Sequence, residues 1–341
     1  MASLITDIPS MIFPHEVDTL RFSASEDFRV RLVLEGEELL DVTLTPDAHS
    51  EAALDGLASL VNDAAEGSMP VLAIFLDGTE VAETSVLPCR EKLNGTAQDL
   101  QGRIFLTLSS GRTKRVPMDG SESLAWTVDG TTPEASIEAL WVGNGIPTIH
   151  TSSQTVKATD DGDIATADVS PRLLKAPQDG CTLVRYTVSA GRRRQTYAVV
   201  QPDTDLHPVT ALRFRNVFNQ DDTFYFFGKV EQEVKPTYSS VSVQGRTRNY
   251  RIETQPTWKA HTGPMGDAEE CLFADLVQAL HVWRMDDGTE LTLTDCEFKP
   301  TNGHSDLPSG TLTWREAAEG CTFRPAVPVR TFDRTFDATF D

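Results

Sequence analysis

The sequence is short of positive charge. Its 341 residues hold 30 Lys and Arg against 51 Asp and Glu, a formal net charge of -21. A surface that acidic repels phosphate backbones and anionic lipid, so neither nucleic acid nor membrane insertion is expected. Hydrophobic runs are short too, and none approaches the roughly 20 residues a membrane helix needs. Cysteine is scarce: Cys89, Cys181, Cys271, Cys296 and Cys321 are dispersed, with no CxxC pair. An odd, scattered set predicts free, mostly buried thiols made in a reducing cytoplasm. The first residues carry no positive region ahead of an apolar one and are interrupted by Asp7, Pro9 and Pro14, so no signal peptide is expected.

Recognisable catalytic motifs are missing as well. There is no GxSxG, no Walker loop and no cysteine in a catalytic histidine context, and Gly143, Asn144 and Gly145 are too few to cradle a phosphate. The seven histidines stand singly, outside HxH or HExxH, so a zinc site would have to gather ligands from afar. Asp160, Asp161 and Asp163, with Asp168, resemble a calcium loop in composition but lack the glycine placement and closing Glu of an EF-hand. A solvated acidic turn is one reading and calcium held by sandwich loops the other. Acid pairs such as Glu269 with Glu270 or Asp286 with Asp287 arise by chance among 51 acids, and a glycosidase needs two that converge. The expectation is a non-enzyme, with no catalytic residue, no cofactor and no metal.

Two sets of side chains have open readings. Five tryptophans, Trp126, Trp141, Trp258, Trp283 and Trp314, belong in the core if their strands are buried, or stack on sugar rings if exposed. Trp126 and Trp141 are the glycan-contact candidates. Arg192, Arg193 and Arg194 fall at a hairpin tip, either as a solvated turn or as a salt-bridged subunit contact.

What the sequence does have is alternation. In 209–258, Leu212 and Phe214 alternate with Arg213 and Arg215, Val241 and Val243 with Ser240 and Ser242, and Tyr250 and Ile252 with Arg251 and Glu253. Period two means half-buried strands, and many short strands between turns mean sandwiches or barrels. The predicted fold is therefore mainly β, in tandem antiparallel sandwich-like or barrel-like domains, two of which carry one packed amphipathic helix each. The first unit, 1–89, has a helix capped by Ser50 and carrying Leu54, Leu57 and Val61, then a hairpin turning on Asp77 and Gly78. The second, 90–205, is β with a polar stretch at 148–170 that reads as a long polar loop or as weak strands. The third, 206–330, has a helix that Asp267 and Glu270 open at capping-box spacing, before Leu272, Phe273, Leu276 and Val277.

Residues 331–341 form a tail in which Thr-Phe-Asp recurs three times. Eleven residues cannot bury three phenylalanines by themselves, so Phe332, Phe336 and Phe340 are candidate subunit contacts unless the tail is frayed. Three features together carry a resemblance: FRVRLVLEGEELLDVTLTPD with VLAIFLDGTEVAETSVLPCRE in the first unit, the block LRFRNVFNQDDTFYFFGKVEQEVKPTYSSVSVQGRTRNYRIETQP, and the Thr-Phe-Asp tail. In these the chain resembles β-rich structural proteins of the tail modules of phages and prophages of gut Bacteroidetes. The resemblance implies a virion protein of the tail, tail tip or baseplate, made in the host cytoplasm. Its implied partners are copies of itself and other tail proteins, in a symmetric oligomer. The alternatives are a carbohydrate-binding module for a host surface glycan and a hydrolase of surface polysaccharide.

Overall fold

Alternation decides the strands. In Phe28–Leu34 the residues Phe28, Val30, Leu32 and Leu34 are buried while Arg29 faces solvent, as a period of two requires where one sheet face is covered. A computed structural model of the chain describes residues 2–65, 69–128, 134–143, 149–160, 163–201, 209–300 and 307–317. The protein is mainly β, and its described strands form five sheets.

In the first unit a five-stranded sheet runs in the order Met11–Ile12, Thr79–Val86, Val71–Leu76, Phe28–Leu34, Glu37–Leu44. A three-stranded sheet of Ser3–Leu4, Thr19–Ser23 and Glu51–Asp55 shares its core, and Leu57 and Val61 of the helix Leu57–Ala64 are buried there. The Asp77 and Gly78 turn has both residues at positive φ, 48° and 83°, the type I′ geometry expected of Asp-Gly. The helix starts later than the sequence suggested. Ser50 takes a φ of 62°, the Asp47 side chain accepts the N–H of Glu51, and Leu54 lies in a strand opposite Leu20. The helix begins only after Gly56 turns the chain at a φ of 79°.

The second unit stacks a five-stranded sheet, in the order Ile149–Lys157, Glu134–Gly143, Cys181–Ala190, Arg193–Val200, Thr113–Pro117, with a smaller one of Ser123–Thr127, Ile164–Asp168 and Thr159–Asp160. Of the two readings of the polar stretch, the described residues take the strand one over Ile149–Lys157, Thr159–Asp160 and Ile164–Asp168. In Ile149–Lys157 the residues alternate between exposed and half-buried along one sheet edge, which serine and threonine tolerate. Two strand pairs depart from the expected antiparallel pattern: Thr113–Pro117 lies parallel to Arg193–Val200, and Met11–Ile12 parallel to Thr79–Val86. Both join segments far apart in sequence, for which no hairpin dictates direction.

The third unit is one seven-stranded sheet packed against the helix Asp267–Leu276. Its order is Asp221–Phe226, Thr210–Arg215, Val282–Arg284, Glu290–Lys299, Ser309–Glu316, Arg246–His261, Val230–Val243. Phe224, Phe226, Phe273 and Trp314 fill the layer between, each ring worth roughly 1.5–3 kcal/mol on burial. The helix opens at Gly266, whose N–H donates to Glu269 Oε2 at 2.8 Å, so the capping acid is Glu269 and not Glu270.

The three units share a core. Phe13, Leu87 and Cys89 pack with Leu106, Ala125 and Ile164 and with Val217 and Phe218 in one buried cluster. Polar contacts fix it: Arg90 donates to the carbonyls of Arg215 (3.1 Å) and Gln278 (3.2 Å), Asn216 Nδ2 to Leu106 O (2.8 Å), and Asn219 Nδ2 to Ala65 O (2.9 Å).

Candidate functional site

Four of the buried charged side chains, Lys114, Glu122, Asp222 and Glu269, lie where the second and third units meet. The edge strand Thr113–Pro117 presents Lys114 and Arg115 to the third unit. Lys114 Nζ is 2.9 Å from Glu122 Oε2 and 3.2 Å from Asp222 Oδ1, and Thr107 Oγ1 donates to Asp222 Oδ2 at 2.6 Å. The Lys114 nitrogen also stands 5.7 Å from the centre of the Tyr225 ring. Arg115 Nε lies 3.3 Å from Glu269 Oε1, which also accepts the Arg115 N–H at 2.7 Å. One ammonium between two carboxylates leaves the Lys114 group with a surplus negative charge, and burial raises the Glu122 carboxyl to about 7 against the pull of Lys114. Burial works to lower Lys114, but the two carboxylates outweigh it and its net direction is up. Lys114, Glu122 and Asp222 are at most 6% exposed, so a solvent-borne substrate does not reach them. This arrangement holds two units together.

The accessible candidate is the hairpin Val230–Val243 with Arg246–His261, which turns on Gln244 and Gly245 at φ 53° and 74°. Only residues 258–261 of its second strand also pair with Ser309–Glu316. From the Glu233–Thr257 pair outward, two strands continue without a third among the described residues. At about 3.3 Å per residue this ribbon projects roughly 35 Å. A two-stranded ribbon is marginal in water unless a third element covers it. Tyr238 sits opposite Ile252 in register and shares a strand face with Val234, and these side chains are 56%, 59% and 48% exposed. Tyr250, beside the irregularity at Ser239 and Ser240, is 70% exposed. Pro236 stands in one ribbon strand and Pro256 in the other. A paired proline turns its missing N–H outward, which blunts both ribbon edges against strand addition and leaves the side-chain face as the surface on offer. Its distal part beyond the Thr237–Glu253 pair, residues 238–252, holds Arg246, Arg248 and Arg251 and no acidic residue.

Other predicted residues have other places. Trp126 and Trp141 are each 3% exposed, so neither stacks on a sugar from solvent. Trp126 meets Phe105 edge-on at 5.8 Å, and Trp141 donates its indole N–H to Ser152 Oγ at 2.9 Å. Arg193 is buried, not part of a solvated tip: it donates to Thr127 O at 2.8 Å and to Ile104 O at 3.1 Å. Of the described cysteines, all free, Cys89 is buried with its thiol pushed up to about 12 by burial, Cys181 and Cys271 are half-buried, and Cys296 is exposed. Asp168 accepts the N–H of Ser170 at 3.0 Å, while Asp161 and Gly162 lie outside the described residues, as do Cys321, Phe332, Phe336 and Phe340. Glu269 is buried against Arg115, and Asp287 closes an exposed turn by accepting the Thr289 N–H at 3.0 Å. No group of three or more metal-ligating side chains occurs among the described residues, and no described helix is long and apolar enough to cross a membrane.

No family model matches the chain, and no curated protein matches it. Among solved structures, the chain is similar to one described as the tail of an empty GTA particle computed with helical refinement in C6 symmetry. The two are 11% identical, and the match covers 35% of this chain and 96% of that one at a TM-score of 0.23.

Proposed function

We propose that this chain is a non-enzymatic structural subunit of a phage tail, assembled from copies of itself with other tail proteins, and that the projecting ribbon is its assembly contact. The observation that carries the reading is a ribbon with no third strand among the described residues, blunted edges and an exposed row of Val234, Tyr238 and Ile252. Covering three such side chains supplies several kcal/mol, the scale on which subunits associate. The assignment to a phage tail follows the sequence resemblance, and the tail phenylalanines Phe332, Phe336 and Phe340 serve as a second contact.

Replacing residues 236–254 by Asn-Gly closes the hydrogen-bonded Lys235–Gln255 pair with a tight turn and removes the contact. The full chain is expected to form a multimer by light scattering and rings or tubes by electron microscopy, the shortened chain a folded monomer. Deleting 331–341 weakens the multimer without abolishing it. A full chain that stays monomeric at high concentration, or a shortened one that assembles equally well, would sink the proposal.

A further inference from the structure

We infer that the ribbon of one copy seats on the first unit of a second copy, in the cleft between the Glu35–Gly36 turn and the end of the helix Leu57–Ala64. The inference rests on the assembly reading above and names the receiving surface. Charge is spread very unevenly along this chain. Residues 1–89 contain 17 acidic and 3 basic side chains, a formal charge of -14 that makes up most of the total of -21. The end of the ribbon beyond the Thr237–Glu253 pair is the reverse, with Arg246, Arg248 and Arg251 and no acid in residues 238–252, while Lys235 nearer its base is paired with Glu233. Opposite potentials on two surfaces of one chain favour contact between copies, whereas like surfaces repel.

Within the first unit, one cleft matches the ribbon in polarity as well as charge. Leu34, Leu39 and Pro70 give it apolar walls, and Glu35, Glu37 and Asp63 stand exposed around them. That combination suits a ribbon whose one face shows Tyr238 and Ile252 and whose end carries Arg246 and Arg248. None of the three basic residues of the unit lines the cleft; Arg29 is paired with Asp41, and Arg31 lies over the Phe75 ring at 4.5 Å. The cleft is itself held in place: Glu35 Oε1 accepts the Val71 N–H at 2.8 Å, and Glu35 N donates to Val71 O at 3.0 Å. A patch on the third unit meeting a different patch on the first is a heterologous contact, so copies add head to tail and either close into a ring or continue as a filament.

Charge reversal tests this on the full-length chain. R246E/R248E and, separately, E37R/D63R are each expected to raise the apparent dissociation constant at least tenfold by analytical ultracentrifugation. Mixing the two variants restores association, because the reversed ribbon then meets a reversed cleft. The exposed pair Glu26 and Asp27, elsewhere on the same unit, is the control, and E26R/D27R assembles as the parent does. Wild type that never associates sinks the assembly reading itself. Wild type that assembles, is blocked by R246E/R248E and is indifferent to E37R/D63R leaves that reading standing and overturns the cleft as receptor. Equal loss in E26R/D27R, or no recovery on mixing, also overturns it.

Discussion

Replacing Asp275 by asparagine should stabilise the protein, by an amount that grows as pH rises from about 4 to about 7. Asp275 lies on the helix Asp267–Leu276 at 4% exposure, with Oδ2 accepting the Val217 N–H at 3.2 Å. Burial raises its carboxyl from 3.8 to about 7, with the Asp222 and Glu91 carboxylates adding to the rise and Val217 N–H and Arg90 opposing it. The folded value exceeds the unfolded one, so between about pH 4 and pH 7 the native state binds a proton that the unfolded state has lost. Stability from this group is fully present below the unfolded value and disappears as pH rises through 7. Each tenfold change in proton affinity is worth about 1.4 kcal/mol, so above pH 7 the ionised carboxylate burdens the fold by roughly 4 kcal/mol. Asp275→Asn keeps an oxygen for the Val217 N–H and removes the titration. Urea unfolding at pH 4, 5, 7 and 8 should show variant and parent drawing together toward pH 4, with the variant ahead by roughly 2 kcal/mol at pH 5 and roughly 4 kcal/mol at pH 8. An Asp275→Asn chain destabilised by the same amount at every pH would refute the argument, since its carboxylate would then be stabilising and charged throughout.

Lys114→Met leaves Glu122 and Asp222 facing each other without their cation, and unfolding free energy should fall by about 3–5 kcal/mol in urea melts. Adding Glu122→Gln and Asp222→Asn should recover most of that loss; failure to recover would mean that the lysine acts through packing alone. Gly310→Ala should cost about 1–3 kcal/mol in thermal unfolding, because its Cβ would stand 2.6 Å from Phe273 Cε1 and 3.2 Å from Glu297 O. A neutral result there would show that the Phe273 ring has room to retreat.

Much of the β architecture was legible because alternation is local. Leu212 with Phe214 and the run from Phe28 to Leu34 announce their buried faces, and Asp77 with Gly78 announces its turn. Equivalent letters were less informative where the contact is distant. Asp287 and Gly288 repeat the same pair, but only Gly288 takes positive φ. Ser50 looks like a helix cap, and only the pairing of Leu54 with Leu20 shows the strand it belongs to. Arg193 in an arginine triplet gives no hint that Thr127, 66 residues away, buries it. The ribbon was half visible: its alternating strands could be read, but alternation does not say whether a third strand covers them. The signal that pointed to exposure was available in Lys235, Arg246, Arg248 and Arg251, a basic run in an acidic chain.

The two charge arrangements belong to one design problem. A head-to-tail contact sets the rotation from one subunit to the next only if patch and receptor keep a fixed angle within each subunit, and the ribbon lies on the third unit while the cleft lies on the first. Hinged units would let that angle wander, and copies would link at random instead of closing. Lys114 with Glu122 and Asp222, Arg115 with Glu269, and Arg90 reaching Arg215 and Gln278 are contacts that work in a single orientation. Buried ion pairs add little net stability compared with apolar packing but are broken by small rotations. That trade suits the head-to-tail assembly proposed above, in which the angle between ribbon and cleft must hold, and it accounts for the buried charge of Lys114, Glu122, Asp222 and Glu269 at the boundary between the second and third units.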